Sequence, residues 1–156
     1  MIPVQHIHPM IVHFPIVAIF LLVAFDVVAT AMGKSVTGRT VVSNIATGLA
    51  VLAAASAAAA FYFGGLALDV AEAGGFSSDV AETHEALGKY VAVFLALWAL
   101  VRVVLWFRDF RFKGVSAYLV PLVTVAGTAL VVTTAYFGGQ LVFDLGVNVA
   151  KVAAGA

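Results

Sequence analysis

Four long apolar runs, separated by short polar interruptions, set the pattern of this chain. They cover about 9–32, 41–68, 84–107 and 118–143. Each exceeds the roughly 20 residues that an α-helix needs to cross the hydrocarbon core of a bilayer. The first run stops at the polar turn Gly33–Thr40, and the third stops at Arg108–Gly114. The longest interruption, Asp69–Glu85, carries Asp69, Glu72, Asp79, Glu82 and Glu85 with no Lys or Arg, and Gly74-Gly75 breaks it. Pro121 stands near the start of the fourth run, where a helix tolerates proline. The pattern predicts an all-α fold: a single integral membrane four-helix bundle over 1–156, built from two tandem helical hairpins. The tail, Asp144–Ala156, is too short and too rich in small residues to form a further domain.

Composition sharpens this reading. The 156 residues are 63% hydrophobic and 10% charged, with mean hydropathy +1.12. Soluble domains carry about 25% charged residues, so this chain cannot cover a water-facing surface. Its net charge of zero gives no field that would draw nucleic acid. With no cysteine, disulfides, iron–sulfur clusters, thiolate zinc sites and covalent c-type haem are excluded. No basic residue precedes the first run and no small-residue cleavage site follows it, so the first span is expected to be retained.

Charge bias orients the spans. Lys34 and Arg39 lie in the first turn, and Arg108, Arg111 and Lys113 in the third. The positive-inside rule makes both loops cytoplasmic. Both termini, the acidic connection and all four histidines are then expected outside, at the inner membrane of a bacterial cell.

The chain also repeats itself. Tyr62-Phe63-Gly64-Gly65 closes the second run and Tyr136-Phe137-Gly138-Gly139 the fourth, 74 positions later. The hairpins then relate by an axis along the membrane normal. Carried back to the first run, this offset puts His13 within about one helical turn of His84.

His6, His8, His13 and His84 are the candidate chemistry. Low-spin haem iron takes two imidazoles, one on each face. His13 and His84 are the expected axial pair, with His8 outside the start of the span, near Pro9, as a cap or a propionate contact. His6 reads as a surface residue. A porphyrin needs helices set wider than the usual 8–10 Å or so. Gly64, Gly65, Gly88, Gly138 and Gly139 would make that room, with Phe14, Phe63, Tyr90 and Phe137 as apolar walls. Helix packing is the alternative reading of the glycines, and for any single aromatic the interfacial belt is the favoured one. The small-residue stretch Ala53–Ala60 admits a neighbouring helix or a flat cofactor. Asp26 and Arg102, near the inner boundary, read as a structural ion pair or as a snorkelling arginine.

The segment His8-Pro9-Met10-Ile11-Val12-His13-Phe14-Pro15, a later histidine, and the ending Gly138-Gly139-Gln140-Leu141-Val142-Phe143 with Gly146-Val147 resemble the bacterial membrane-protein family known as domain of unknown function 2231. The likeness covers nearly the whole chain. It implies a four-helix membrane fold and singles out His8, His13 and His84, with Gly138, Gly139 and Gly146 as the matching late glycines. Where similar proteins tend to carry Tyr-x-His-Gly, this chain has Phe143-Asp144-Leu145-Gly146.

The expected function is a membrane b-type cytochrome with a bis-histidine haem near the outer face. It would be an electron-transfer subunit rather than an enzyme, in contact with the bilayer. Its setting would be a larger redox complex or a homo-oligomer, with a quinone-linked or periplasmic partner. Two alternatives stand beside it: copper or zinc held by His6, His8, His13 and His84, or an anchor subunit with no cofactor.

Overall fold

The computed structural model describes residues 3–147 and 149. A 3-10 turn, Val4–His6, leads into α1 (Ile7–Ile11) and α2 (His13–Ala31). α3 (Val41–Ala73) and α4 (Asp79–Phe107) follow, then a 3-10 turn, Gly114–Tyr118, and α5 (Leu119–Phe143). There is no strand among the described residues. All four spans are long and apolar enough to cross a membrane. The expectation for the tail falls largely outside the described residues.

α3 packs on α2 and α4, and α5 packs on α4 and α2. The helices thus form a closed ring of antiparallel neighbours, with α2 diagonal to α4 and α3 diagonal to α5. α3 turns Ser43, Ala46, Ala50, Ala53, Ala57 and Ala60 to the core. That alternation of three and four residues is a heptad seam, and its small side chains let α3 approach closely. α5 repeats the seam 74 positions later with Val120, Thr124, Gly127 and Val131. Size is exchanged between the halves. A Cβ at Gly127 would lie 2.5 Å from Phe94 Cε1, while the equivalent positions hold Ala53 and Ala18. Bulk lost on one helix is thus regained on its neighbour.

The α2/α4 repeat runs at a different offset. Ile19 matches Leu95 and Asp26 matches Arg102, each 76 positions apart and each buried. The second hairpin therefore connects its two helices with two residues fewer than the first.

The long acidic interruption is shorter than the sequence suggests. α3 continues through Ala73 and α4 begins at Asp79, leaving only 74–78 between them. Ser78 caps α4 by accepting from Val80 N (3.2 Å). Asp79 and Glu82 then sit in the first turn, where the helix dipole favours negative charge.

Asp26 and Arg102 meet across the bundle axis. Arg102 Nη1 and Nη2 donate to Asp26 Oδ2 (2.6 Å) and Oδ1 (2.9 Å). Nη2 also donates to Val36 O (3.1 Å), and Thr124 Oγ1 donates to Asp26 Oδ2 (2.8 Å). Trp98 Nε1 in turn donates to Thr124 Oγ1 (3.2 Å). Both charged residues are about fully buried, at 0% and 1% exposure. Arg102 is thus paired inside the bundle, not snorkelling to its edge.

The short loops clasp each other below that pair. Asp109 has φ 48° and stands 76 positions after Gly33, which has φ 70°. Both follow a helix end in the left-handed conformation, with Lys34 N donating to Ala29 O (2.8 Å) and Phe110 N to Leu105 O (2.9 Å). Asp replaces Gly because its carboxylate is used: Asp109 Oδ1 accepts from Arg39 N (2.6 Å) and Arg111 Nη2 (3.1 Å). The Arg39 backbone N–H first, then the Arg111 guanidinium, hold this carboxyl below the usual carboxylate range. A depressed folded pKa stabilises above the unfolded value and is lost as pH falls through the folded one. The stability difference between wild type and Asp109→Asn should accordingly be constant at neutral pH and vanish in strong acid. Thermal unfolding in detergent against pH would show this, and a difference undiminished in acid would contradict it.

Candidate functional site

At the opposite end from the short loops, the four helices enclose an apolar cavity of about 360 Å³. Proline shapes one wall. Pro15 has no N–H to give Ile11 O, and the helix breaks at Val12 between α1 and α2. The α1 segment packs against α3. Pro9 lies in the first turn of α1, where a missing N–H costs nothing, so His8 is helical.

His8 Nδ1 lies 2.8 Å from Ala60 O on α3. His84 Nδ1, on α4, lies 3.0 Å from Thr134 O on α5. A carbonyl oxygen only accepts, so each Nδ1 is the donor and carries the proton. In the neutral ring Nε2 then holds a bare lone pair. This is the arrangement of a metal-ligating histidine oriented by a backbone carbonyl. The two rings face each other with centroids 6.1 Å apart and planes at 80°.

Glycine makes the carbonyls reachable. Gly64 and Gly138 each stand four residues after the accepting carbonyl, on the turn that the ring crosses. A Cβ on Gly64 would come within 3.0 Å of His8 Cε1, and one on Gly138 within 2.9 Å of His84 Cε1. A Cβ on Gly65 or Gly139 meets nothing within 4 Å, and both glycines line the cavity. Gly88 lines it too, with Phe61 beside it.

The structure brings His8, not His13, opposite His84. His13 and Phe14 are exposed and do not line the cavity. Their counterparts 76 positions on, Lys89 and Tyr90, are exposed as well. The physical reason is helical phase: His13 lies five residues beyond His8, past the Val12 break, on the outer face of α2. His6 is exposed also. Phe63 and Phe137 do not line the cavity; each packs edge-on against its neighbouring tyrosine, Tyr62 or Tyr136. Among the described residues no three His, Cys, Asp or Glu side chains converge as metal ligands.

The cavity wall obeys both offsets. Val12 matches Gly88, Pro15 matches Val91, Gly65 matches Gly139 and Leu68 matches Val142, all of them lining. The 76-position offset, read from Asp26/Arg102 in the sequence, sets His8 against His84.

Fold and site together define a multi-pass α-helical membrane protein with a two-fold pseudo-symmetric histidine pair in its interior. The chain belongs to the family described as "Predicted membrane protein (DUF2231)", whose model matches residues 5–151. No curated protein and no solved structure matches it.

Proposed function

We propose that this protein is a membrane b-type cytochrome whose haem is held between His8 and His84. The observation that carries the reading is the facing pair of imidazoles, each with Nδ1–H tied to a helix carbonyl. The two imidazoles, with ring centres 6.1 Å apart, would hold the group between them. Two protein ligands suit a porphyrin, which brings four nitrogens of its own. Bare zinc takes three or four protein ligands, and no such cluster exists among the described residues.

Bound haem would supply a one-electron iron couple. The chain's part is to orient both imidazoles, exclude water with apolar walls, and leave open space at Gly65 and Gly139. With both imidazoles holding the group, none would be left to bind a substrate, and the reading is electron transfer, as a subunit beside a quinone-linked or periplasmic partner. The test is the visible spectrum of the purified protein. Sharp reduced bands of low-spin haem are expected; protein from haem-replete cells that carries no haem would overturn the reading.

Gly138→Ala should lower the haem-to-protein ratio severalfold, because its Cβ pushes His84 off Thr134 O. Gly139→Ala, which meets nothing, should leave His84 in place. Equal haem loss in both would remove the role assigned to Gly138.

The histidine end faces the outside of a bacterial inner membrane in this reading. Its support is the clustering of Lys34, Arg39, Arg108, Arg111 and Lys113 at the short-loop end. Cysteines at Ser35 and Ser77 should label from opposite sides in sealed vesicles, Ser77 from outside; labelling of Ser35 from outside would invert the orientation.

A further inference from the structure

Among the differences between the two halves of the cavity wall, one exchanges a large ring for a methyl group. Phe61 on α3 corresponds to Ala135 on α5, and Gly88 on α4 corresponds to Val12 at the α1–α2 break. Phe61 leans across to α4, where a Cβ on Gly88 would lie 3.7 Å from its Cδ2. That ring closes the wall between α3 and α4. The other half has no such ring. Ala135 lines the cavity and is itself exposed. The N-terminal turn and α1 pack on α3, and no comparable packing joins α1 to α5.

On a membrane span, the exposed Ala135 would be flanked by lipid. Ala135 lies about 12 Å from the C-terminal end of α5, at 1.5 Å per residue. The span Gly114–Phe143 has 30 residues, longer than the roughly 30 Å hydrocarbon core requires, so Ala135 falls inside that core's edge. Toward the aqueous end Phe76 and Val147 line the cavity. Phe76 is set by a turn in which Gly75 has φ 86° and Phe76 N donates to Ala71 O (3.1 Å).

We propose that the gap between α1 and α5 is a lateral portal through which the histidine site is loaded from the bilayer. Its ligand is the haem of the reading above, on which this inference rests. The apolar ring of haem would partition into the lipid, with its two propionates at the interface, and reach the imidazoles past Ala135 and Gly139 without displacing Phe76.

The experiment follows haem uptake by apoprotein in vesicles whose bilayer already contains haemin, read as growth of the low-spin band. Ala135→Phe with Val12→Gly rebuilds on the open side the plug that Phe61 and Gly88 form on the other. It should slow uptake tenfold or more and reach the same final spectrum. Ala135→Leu, a milder plug, should slow it less. Phe61→Ala should match or exceed the wild-type rate, and Phe76→Ala should leave it unchanged. Equal rates for wild type and Ala135→Leu overturn the portal, whether or not the double variant folds. Acceleration by Phe76→Ala alone would assign loading to the aqueous end and overturn it too. Wild-type apoprotein that takes up no haem overturns the haem reading itself, an endpoint result distinct from a rate result.

Discussion

Replacing His84 by Ala should abolish the low-spin haem spectrum, and replacing His8 should do the same. In the proposed reading each imidazole would supply one of the two bonds to the iron, and a single remaining ring would hold it loosely. His13→Ala should leave the spectrum intact, since His13 is exposed outside the cavity. The pair of results discriminates. Loss of the spectrum in His13→Ala with retention in His8→Ala would restore the His13–His84 pairing that the sequence suggests. Retention in both His8→Ala and His84→Ala would end the bis-histidine assignment.

Removing one member of the Asp26–Arg102 pair should be the most destabilising single change in the bundle. Asp26→Ala leaves a buried guanidinium whose contacts among the described residues are Val36 O and the face of Trp98. Breaking a buried pair in this way costs about 3–5 kcal/mol. The double replacement Asp26→Leu with Arg102→Met should recover most of that loss. Buried pairs often break even against apolar residues of similar volume, and Arg102 Nε lacks a partner among the described residues. Thermal unfolding of both variants in one detergent checks this. A double variant as unstable as Asp26→Ala would show that the pair contributes beyond mutual neutralisation.

The spans, their order and the tandem repeat were legible because hydropathy and loop charge are one-dimensional signals. The glycine pairs were legible as positions but not as roles. Nothing in Phe63-Gly64-Gly65 says that a ring from another helix reaches the carbonyl four residues before Gly64. His8 was hidden for two reasons. Pro9 argues against helix at His8, yet in a first turn it is harmless. The Tyr-Phe-Gly-Gly offset of 74 also belongs to α3 and α5 alone, while α2 and α4 keep 76. A two-residue slip turns a helix by more than half a revolution, so the 74-position offset does not reveal that His8 lies opposite His84. The ion-pair reading of Asp26 and Arg102 holds, but their full burial was not legible, because hydropathy places a residue along the membrane normal and not about the bundle axis.

The opposite charges at equivalent positions bear on how such a bundle can be assembled. Two copies of the first hairpin, joined by a true two-fold, would set Asp26 against its own twin in the apolar interior. Two copies of the second would do the same with Arg102. Either homodimer buries like charges face to face, which the low-dielectric interior penalises heavily. The histidine pair survives such symmetry, but the ion pair does not. Duplication within one chain is what lets the two halves share an axis yet differ on it, and it makes each half an obligate partner of the other.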